Sequence, residues 1–223
     1  MKKNVVVCMP VSDSVKAETA QRLIDLLAHR NVIGRAQVSG TLVHKARNKL
    51  VESAINGFDE ATHLLFVDDD MVFTNDDLDK LLDSGKDIIG SVCVEKSPPF
   101  HPCLVPLDKD WSSLKKLWEE KKPLRVDSVG MGFTLVKVGV LKELMKKSNQ
   151  VFYFERNSDF GEDYNFCQSV RDLKKTIWVH CGSKVGHLAY LPVSLDHFMY
   201  NLQNNPQVED LKKSIFGAHQ DSS

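Results

Sequence analysis

The sequence predicts an α/β fold, a mostly parallel sheet covered by helices, and three observations predict it. Val5–Cys8 is a continuous β-branched run, the pattern of a strand buried on both faces; His63–Val67 reads as the next buried strand and Asp87–Val94 as a further one. Stretches with helical spacing separate them, at residues 17–28, 41–55 and 76–83. With a second strand at Ala36–Ser39, the order becomes βαβαβαβ, the succession that builds parallel sheets through helical crossovers.

Each element has a local reason. The first strand ends at Pro10, and Ser12-Asp13-Ser14 then offers N-caps to a helix whose Ala20, Leu23, Ile24 and Leu27 should face inward. Gly34 and Gly40 bracket the second strand. In TLVHKARNKLVESAI, residues 41–55, the inward positions are Leu42, Ala46, Leu50 and Ile55. The third strand runs straight into Asp68-Asp69-Asp70, and Thr74-Asn75-Asp76-Asp77 caps the short helix that follows. Residues 97–125 are rich in proline and read as loops with an edge hairpin. Val126–Val138 reads as a strand pair or one bent strand around Gly130-Met131-Gly132. A helix at Val140–Lys147, a short aromatic strand at Phe152-Tyr153-Phe154 and a helix from Gly161 to about Leu173 follow. Two short strands, Thr176–His180 and Lys184–Leu188, come next, and the chain ends in a surface helix and a polar tail.

Composition limits what this fold does. The 223 residues are 42% hydrophobic and 26% charged, ordinary values for a globular chain, so disorder is not expected. A formal net charge of -1 gives no whole-chain attraction to nucleic acid or anionic membrane, so any phosphate must be met by a metal or a few placed cations. The five cysteines are scattered with no CxxC pair, which points to a reducing, cytoplasmic setting and away from a zinc module. The apolar run near the N-terminus is too short for a signal peptide, and no stretch reaches the roughly 18 apolar residues of a membrane span.

Four motifs carry chemistry. In LLFVDDDMVF, residues 64–73, three acids end a buried strand, the edge at which open α/β sheets bind ligands. If the extended chain continues, Asp68 and Asp70 share one side and Asp69 takes the other. Two facing carboxylates call for a cation, and hard oxygen ligands suit Mg²⁺ or Mn²⁺. The plain alternative is a solvated turn before the next helix. In DFGEDYNFCQSV, residues 159–170, Glu162 and Asp163 open a helix, where the dipole favours acids and a carboxylate can act as general base. In KVGHLAY, residues 184–190, His187 is a metal ligand or a structural histidine, and Lys184 is a partner for phosphate. In VGMGFTLVK, residues 129–137, Gly130 and Gly132 leave room for a ligand beside Met131, or mark a bulge. Arg47, on the helix before the aspartates, is a further contact for a diphosphate or a base.

Taken in order, the aspartates, the Gly-x-Gly strand, the Gly-Glu-Asp helix start and the late Val-Gly-His resemble the GT-A-fold glycosyltransferases, over roughly residues 4–190. Within that fold the chain looks like the compact single-domain enzymes often carried by viruses and bacteria. The resemblance implies a GT-A-like three-layer sandwich forming one catalytic domain over residues 1–223. Its nucleotide-binding half would span about 1–96, its acceptor half about 97–190 and its surface helix and tail 191–223. It further implies Mn²⁺ or Mg²⁺ at Asp68, Asp70 and His187, with Asp68 and Asp69 near the donor. Pro10, Val11, Ser12 and Asp13 would hold base and ribose, Gly130 to Gly132 would face sugar and acceptor, and Asp163, seconded by Glu162, would be the base. The implied reaction moves a sugar from a UDP- or GDP-sugar to a hydroxyl of a glycan or glycoprotein, with no role for nucleic acid.

Other readings fit less of the chain. A phosphatase of the haloacid-dehalogenase type also carries DxD after a buried strand, with Asp68 as nucleophile and Asp70 as acid. Its motif usually sits on the opening strand, and GEDYNF lacks its second Asp. A sugar nucleotidyltransferase would need a Gly-rich loop where MPVSDSV has no glycine. A non-catalytic nucleotide- or carbohydrate-binding module would lose only affinity on Asp70→Asn.

Overall fold

Ten strands and five helices occupy the residues that the computed structural model describes, 2–97, 100–107, 119–154 and 161–189. The strands are β1 (Val5–Val11), β2 (Val32–Ser39), β3 (His63–Val67), β4 (Met71–Val72), β5 (Ile88–Ser91), β6 (Leu104–Pro106), β7 (Pro123–Val129), β8 (Phe133–Lys137), β9 (Ile177–His180) and β10 (Gly186–His187). The helices are α1 (Ala17–Leu27), α2 (Val43–Gly57), α3 (Asn75–Asp83), α4 (Val138–Lys147) and α5 (Glu162–Asp172). Eight strands form one sheet in the order β2-β1-β3-β8-β5-β9-β7-β6, and β10 pairs with β4 in a separate ribbon. Six of the eight run the same way; β8 and β7 oppose them.

The sheet explains the runs that predicted it. Every residue of β1 and of β3 is buried. Alternate β1 residues serve opposite faces: Val6 and Cys8 pack with α2, α4 and α5, whereas Val5, Val7, Met9 and Val11 pack with α1 and α3. Each such side chain contributes about 1.5–3 kcal/mol relative to exposure, so a strand covered on both sides has no polar position to place. The result is the three-layer α/β arrangement expected from the sequence.

Several local expectations change. On α1 the buried face is Thr19, Leu23 and Leu26, while Ile24 is 63% exposed and Leu27 also reaches solvent. Helix α2 starts at Val43, and Leu42, expected inward, is exposed. The residue before α1 is Lys16, which caps with no side-chain bond; Ser12 is engaged elsewhere. The segment around Gly130 to Gly132 separates two strands that do not pair with each other, because β8 inserts between β3 and β5 while β7 lies beyond β9. Residues 152–154 form no strand; Phe152 instead stacks on Phe166 at 4.8 Å inside the core. The expected edge hairpin is present in β6 and β7, which pair antiparallel at the sheet's rim.

The described residues up to Leu188 belong to one compact unit. The expected C-terminal helix and tail at 191–223 lie outside the described residues, as do Asp159 and Phe160 before Gly161. No helix among the described residues is long and apolar enough to cross a membrane. All five cysteines are free.

Candidate active site

The three aspartates leave β3 as a turn, because the extended chain ends at Val67. Alternation therefore does not sort them; three neighbouring segments do. The Asp68 amide donates to the Gly132 carbonyl at 3.0 Å, and its Oδ1 accepts from Arg47 Nη2 at 2.8 Å. Asp69 ties down the loop after β1: its Oδ2 accepts from the Ser12 amide at 2.7 Å and the Ser12 hydroxyl at 2.8 Å, and its carbonyl accepts from the Lys16 amide. The Asp70 carbonyl accepts from the Leu188 amide at 2.9 Å, beside the pairing of His187 with Met71. The β4–β10 ribbon thus carries His187 to the aspartates across more than a hundred residues of sequence.

Asp70 and His187 make the polar centre. His187 Nε2 lies 3.2 Å from Asp70 Oδ1. Its Nδ1 lies 2.9 Å from the Val94 carbonyl, which can only accept, so Nδ1 carries the hydrogen and Nε2 faces the carboxylate. Lys96 Nζ engages the other oxygen, Asp70 Oδ2. Burial would raise the Asp70 carboxyl, but the bonds from His187 and Lys96 outweigh it and hold the group below the usual carboxylate range. The bond to Asp70 in turn lifts the His187 imidazole above its ordinary value against the opposing effect of burial.

Arg47 is the second organiser. Only 4% of its side chain is exposed, and it forms ion pairs with both Asp68 and Glu162, joining the aspartate turn to the start of α5. Glu162 is thereby committed to Arg47. Asp163 is not: its Oδ1 accepts from the amide of Tyr164 at 2.8 Å, and Oδ2 lies toward Gly130. Both glycines sit in close approach to their neighbours. A Cβ on Gly132 would stand 3.2 Å from Met71 Sδ, and one on Gly130 would stand 3.1 Å from Cys103 Cβ. Met131 between them is buried.

Two hollows meet over these groups. The larger, about 480 Å³, is lined by Pro10, Val11, Ser12, the three aspartates, Lys96 and His187. The smaller, about 250 Å³, reaches Arg47, Glu162, Asp163 and the Gly130–Gly132 segment. Asp68, His187 and Val43 border both. Two sequence candidates fall outside. Asp13 is exposed and borders neither hollow. Lys184 is also exposed; its amide donates to Asp77 Oδ1 at 2.7 Å, and Lys96 supplies the cation at Asp70 instead. Lys96 escaped the sequence reading because no motif surrounds it. The phosphatase reading needs Asp68 free to attack phosphorus, and that carboxylate is paired with Arg47.

The donor set bears on the implied metal. A carboxylate and an imidazole nitrogen held by a backbone carbonyl suit Mn²⁺, or Mg²⁺ with more water. Among the described residues no three such side chains converge. Asp70 and His187 stand together there, while Asp68 is withdrawn onto Arg47.

No family model matches the chain, and neither does any curated protein. Solved structures do. A197 from STIV aligns with a TM-score of 0.55 at 18% identity, over 84% of this chain and 86% of its own. GalNAc-T7, solved with UDP, GalNAc and Mn²⁺, aligns with a TM-score of 0.58 at 11% identity, over 84% of this chain and 43% of its own. This chain thus spans less than half the length of the GalNAc-T7 chain. At these identities the likeness is one of fold, and the fold is the GT-A-like one expected from the sequence.

Proposed function

We propose that this chain is a metal-dependent glycosyltransferase that moves a sugar from a nucleotide-diphosphate sugar to a hydroxyl of a glycan or glycoprotein. The observation that carries the reading is the junction of the two hollows. One holds the Asp70–His187 pair and Lys96, the other holds Asp163, and they meet at Asp68 and His187. A donor diphosphate fits the first and an acceptor hydroxyl the second, which sets the anomeric carbon at the border. GalNAc-T7, the neighbour solved with UDP, supports a UDP-sugar over a GDP-sugar.

Asp70 and His187 hold the divalent ion, Mn²⁺ or Mg²⁺. When bound, that ion supplies positive charge against which a nucleoside diphosphate can depart. Pro10, Val11 and Ser12 border the nucleotide, with Ser12 fixed by Asp69. Arg47 keeps Asp68 and Glu162 in register, so the start of α5 cannot drift from the aspartate turn. Asp163, the acid beside it that Arg47 does not neutralise, takes the acceptor's proton as its oxygen attacks. Attack from the face opposite the diphosphate inverts the anomeric configuration.

Slow hydrolysis of a panel of UDP- and GDP-sugars, with and without EDTA, tests the reading. Turnover should vanish with EDTA and return with Mn²⁺. Turnover that survives EDTA overturns the metal site, and nucleotide binding without turnover of any donor favours a binding module.

A further inference from the structure

Lys96 is the one lysine or arginine that reaches Asp70 among the described residues, and its setting is unusual. The Asp70 side chain is 8% exposed and both its oxygens are occupied, Oδ1 by His187 and Oδ2 by Lys96. A buried carboxylate needs such partners, because an unpaired charge there is costly. The Lys96 side chain, by contrast, is 47% exposed and lines the 480 Å³ hollow. Its stem is flexible and its head is a point charge that can swing without disturbing the backbone. The backbone around it is held. The Val94 carbonyl fixes His187, Val94 bridges to Pro102, and the amides of Glu95 and Cys103 bond back to His101 and Cys93. One short segment therefore carries a fixed carbonyl that orients one ligand and a movable cation that occupies the other.

We infer that Lys96 is an exchangeable counter-ion: it neutralises Asp70 until a divalent cation arrives with a diphosphate, and then transfers to that diphosphate. The inference rests on the proposed donor site and adds how that site is loaded. A metal arriving alone must displace Lys96 into water and binds weakly. A metal arriving with the diphosphate releases Lys96 onto an anion within reach, so each ligand strengthens the other, as linkage requires. The arrangement keeps the buried acid satisfied in the empty protein and disfavours loading by metal alone. Lys96 is thus a positioning residue for the diphosphate as well as a gate for the cation.

Electron paramagnetic resonance of free Mn²⁺ measures this without any turnover. Titrations are run on the wild-type chain, Lys96→Met and Lys96→Arg, each with and without UDP. For the wild type, UDP should tighten Mn²⁺ binding by about tenfold or more, within the range of ordinary coupling between ligands. In Lys96→Met, Mn²⁺ alone should bind about tenfold more tightly than to wild type, and the gain from UDP should shrink by a similar factor. Lys96→Arg keeps the charge and should keep Mn²⁺ alone weak. If Lys96→Met leaves both affinities at the wild-type values, the exchange is wrong while the donor site stands. Wild-type protein that binds no Mn²⁺ even with UDP removes the donor site itself, and the exchange with it.

Discussion

Arg47 looks on the sequence like one helix arginine among 29 basic residues, yet it is the group on which both acidic motifs lean. Its guanidinium fork suits two carboxylates at once, which a lysine ammonium does not. Arg47→Met should therefore lower stability by about 1–3 kcal/mol in urea denaturation, because the half-buried Asp68 and Glu162 lose their shared counter-charge. A loss below about 1 kcal/mol would show the pairs to be incidental. Asp163→Asn has the opposite profile. It should cut transfer at least a hundredfold while leaving UDP affinity within a factor of two or so, since general base catalysis is worth about that much. A large loss of affinity would assign Asp163 to binding instead. Asp68, Asp70, Glu162 and Asp163 stand out in the sequence, because acids after a buried strand or at a helix start are visible in one dimension, whereas His187 alone could equally be structural. Lys96 does not stand out. Its role comes from the Val94–Pro102 bridge, a contact that composition and periodicity do not encode.

Helix α3 shows how an element's own cap can serve the site. The sequence signals a cap at residues 74–77, and Asp77 indeed accepts from the Thr74 amide at 2.9 Å and the Thr74 hydroxyl at 2.8 Å, both on Oδ2. Its other oxygen was not legible. Oδ1 accepts from the Ser183 hydroxyl at 2.8 Å and the Lys184 amide at 2.7 Å, which moors the loop leading into β10 and His187. Burial would raise the Asp77 carboxyl, but these four bonds hold it below its ordinary value. Its contribution is thus complete above the unfolded carboxylate value of about 4 and fades only as pH falls through the lower folded value. Asp77→Asn keeps the shape but turns an NH₂ toward one pair of donors. We expect a loss of about 3 kcal/mol in denaturation at neutral pH, and weaker Mn²⁺ binding as His187 loses its mooring. Unchanged Mn²⁺ affinity in a destabilised variant would confine Asp77 to capping. The misjudged face of α1 has a similar origin. Leu23 and Leu26 reach the sheet while Ile24 does not, and only the helix's rotation over β1 and β2 decides between them.

At the scale of the molecule, the alternation of strand and helix was readable because each crossover leaves a period in the sequence, but strand order was not. Nothing local tells β8 to slip antiparallel between β3 and β5, and that insertion is what brings Gly132 against Asp68. His63 stands at the root of this junction, opposite Val5 of β1 and Lys137 of β8, with its Nδ1 2.8 Å from the Thr62 hydroxyl. Burial first, then Lys137 and Lys3, push its imidazole down to about 4, against a smaller opposing pull from Asp87. The neutral ring is thus the form that folds, and the unfolded chain binds the proton more tightly. Stability should be level above about pH 6.5, decline as pH falls from there to about 4, and show no further change from this residue below that. The full shift sets a ceiling of about 3 kcal/mol, which solvent screening at the end of the sheet reduces to about 1–2 kcal/mol. Urea midpoints between pH 7.5 and pH 4.5 (about one unit beyond the unfolded value and two below it) measure it. His63→Gln, which cannot take a proton, should flatten that part of the profile. A variant with the wild-type slope would place the acid sensitivity elsewhere and leave the β1–β3–β8 junction indifferent to protonation.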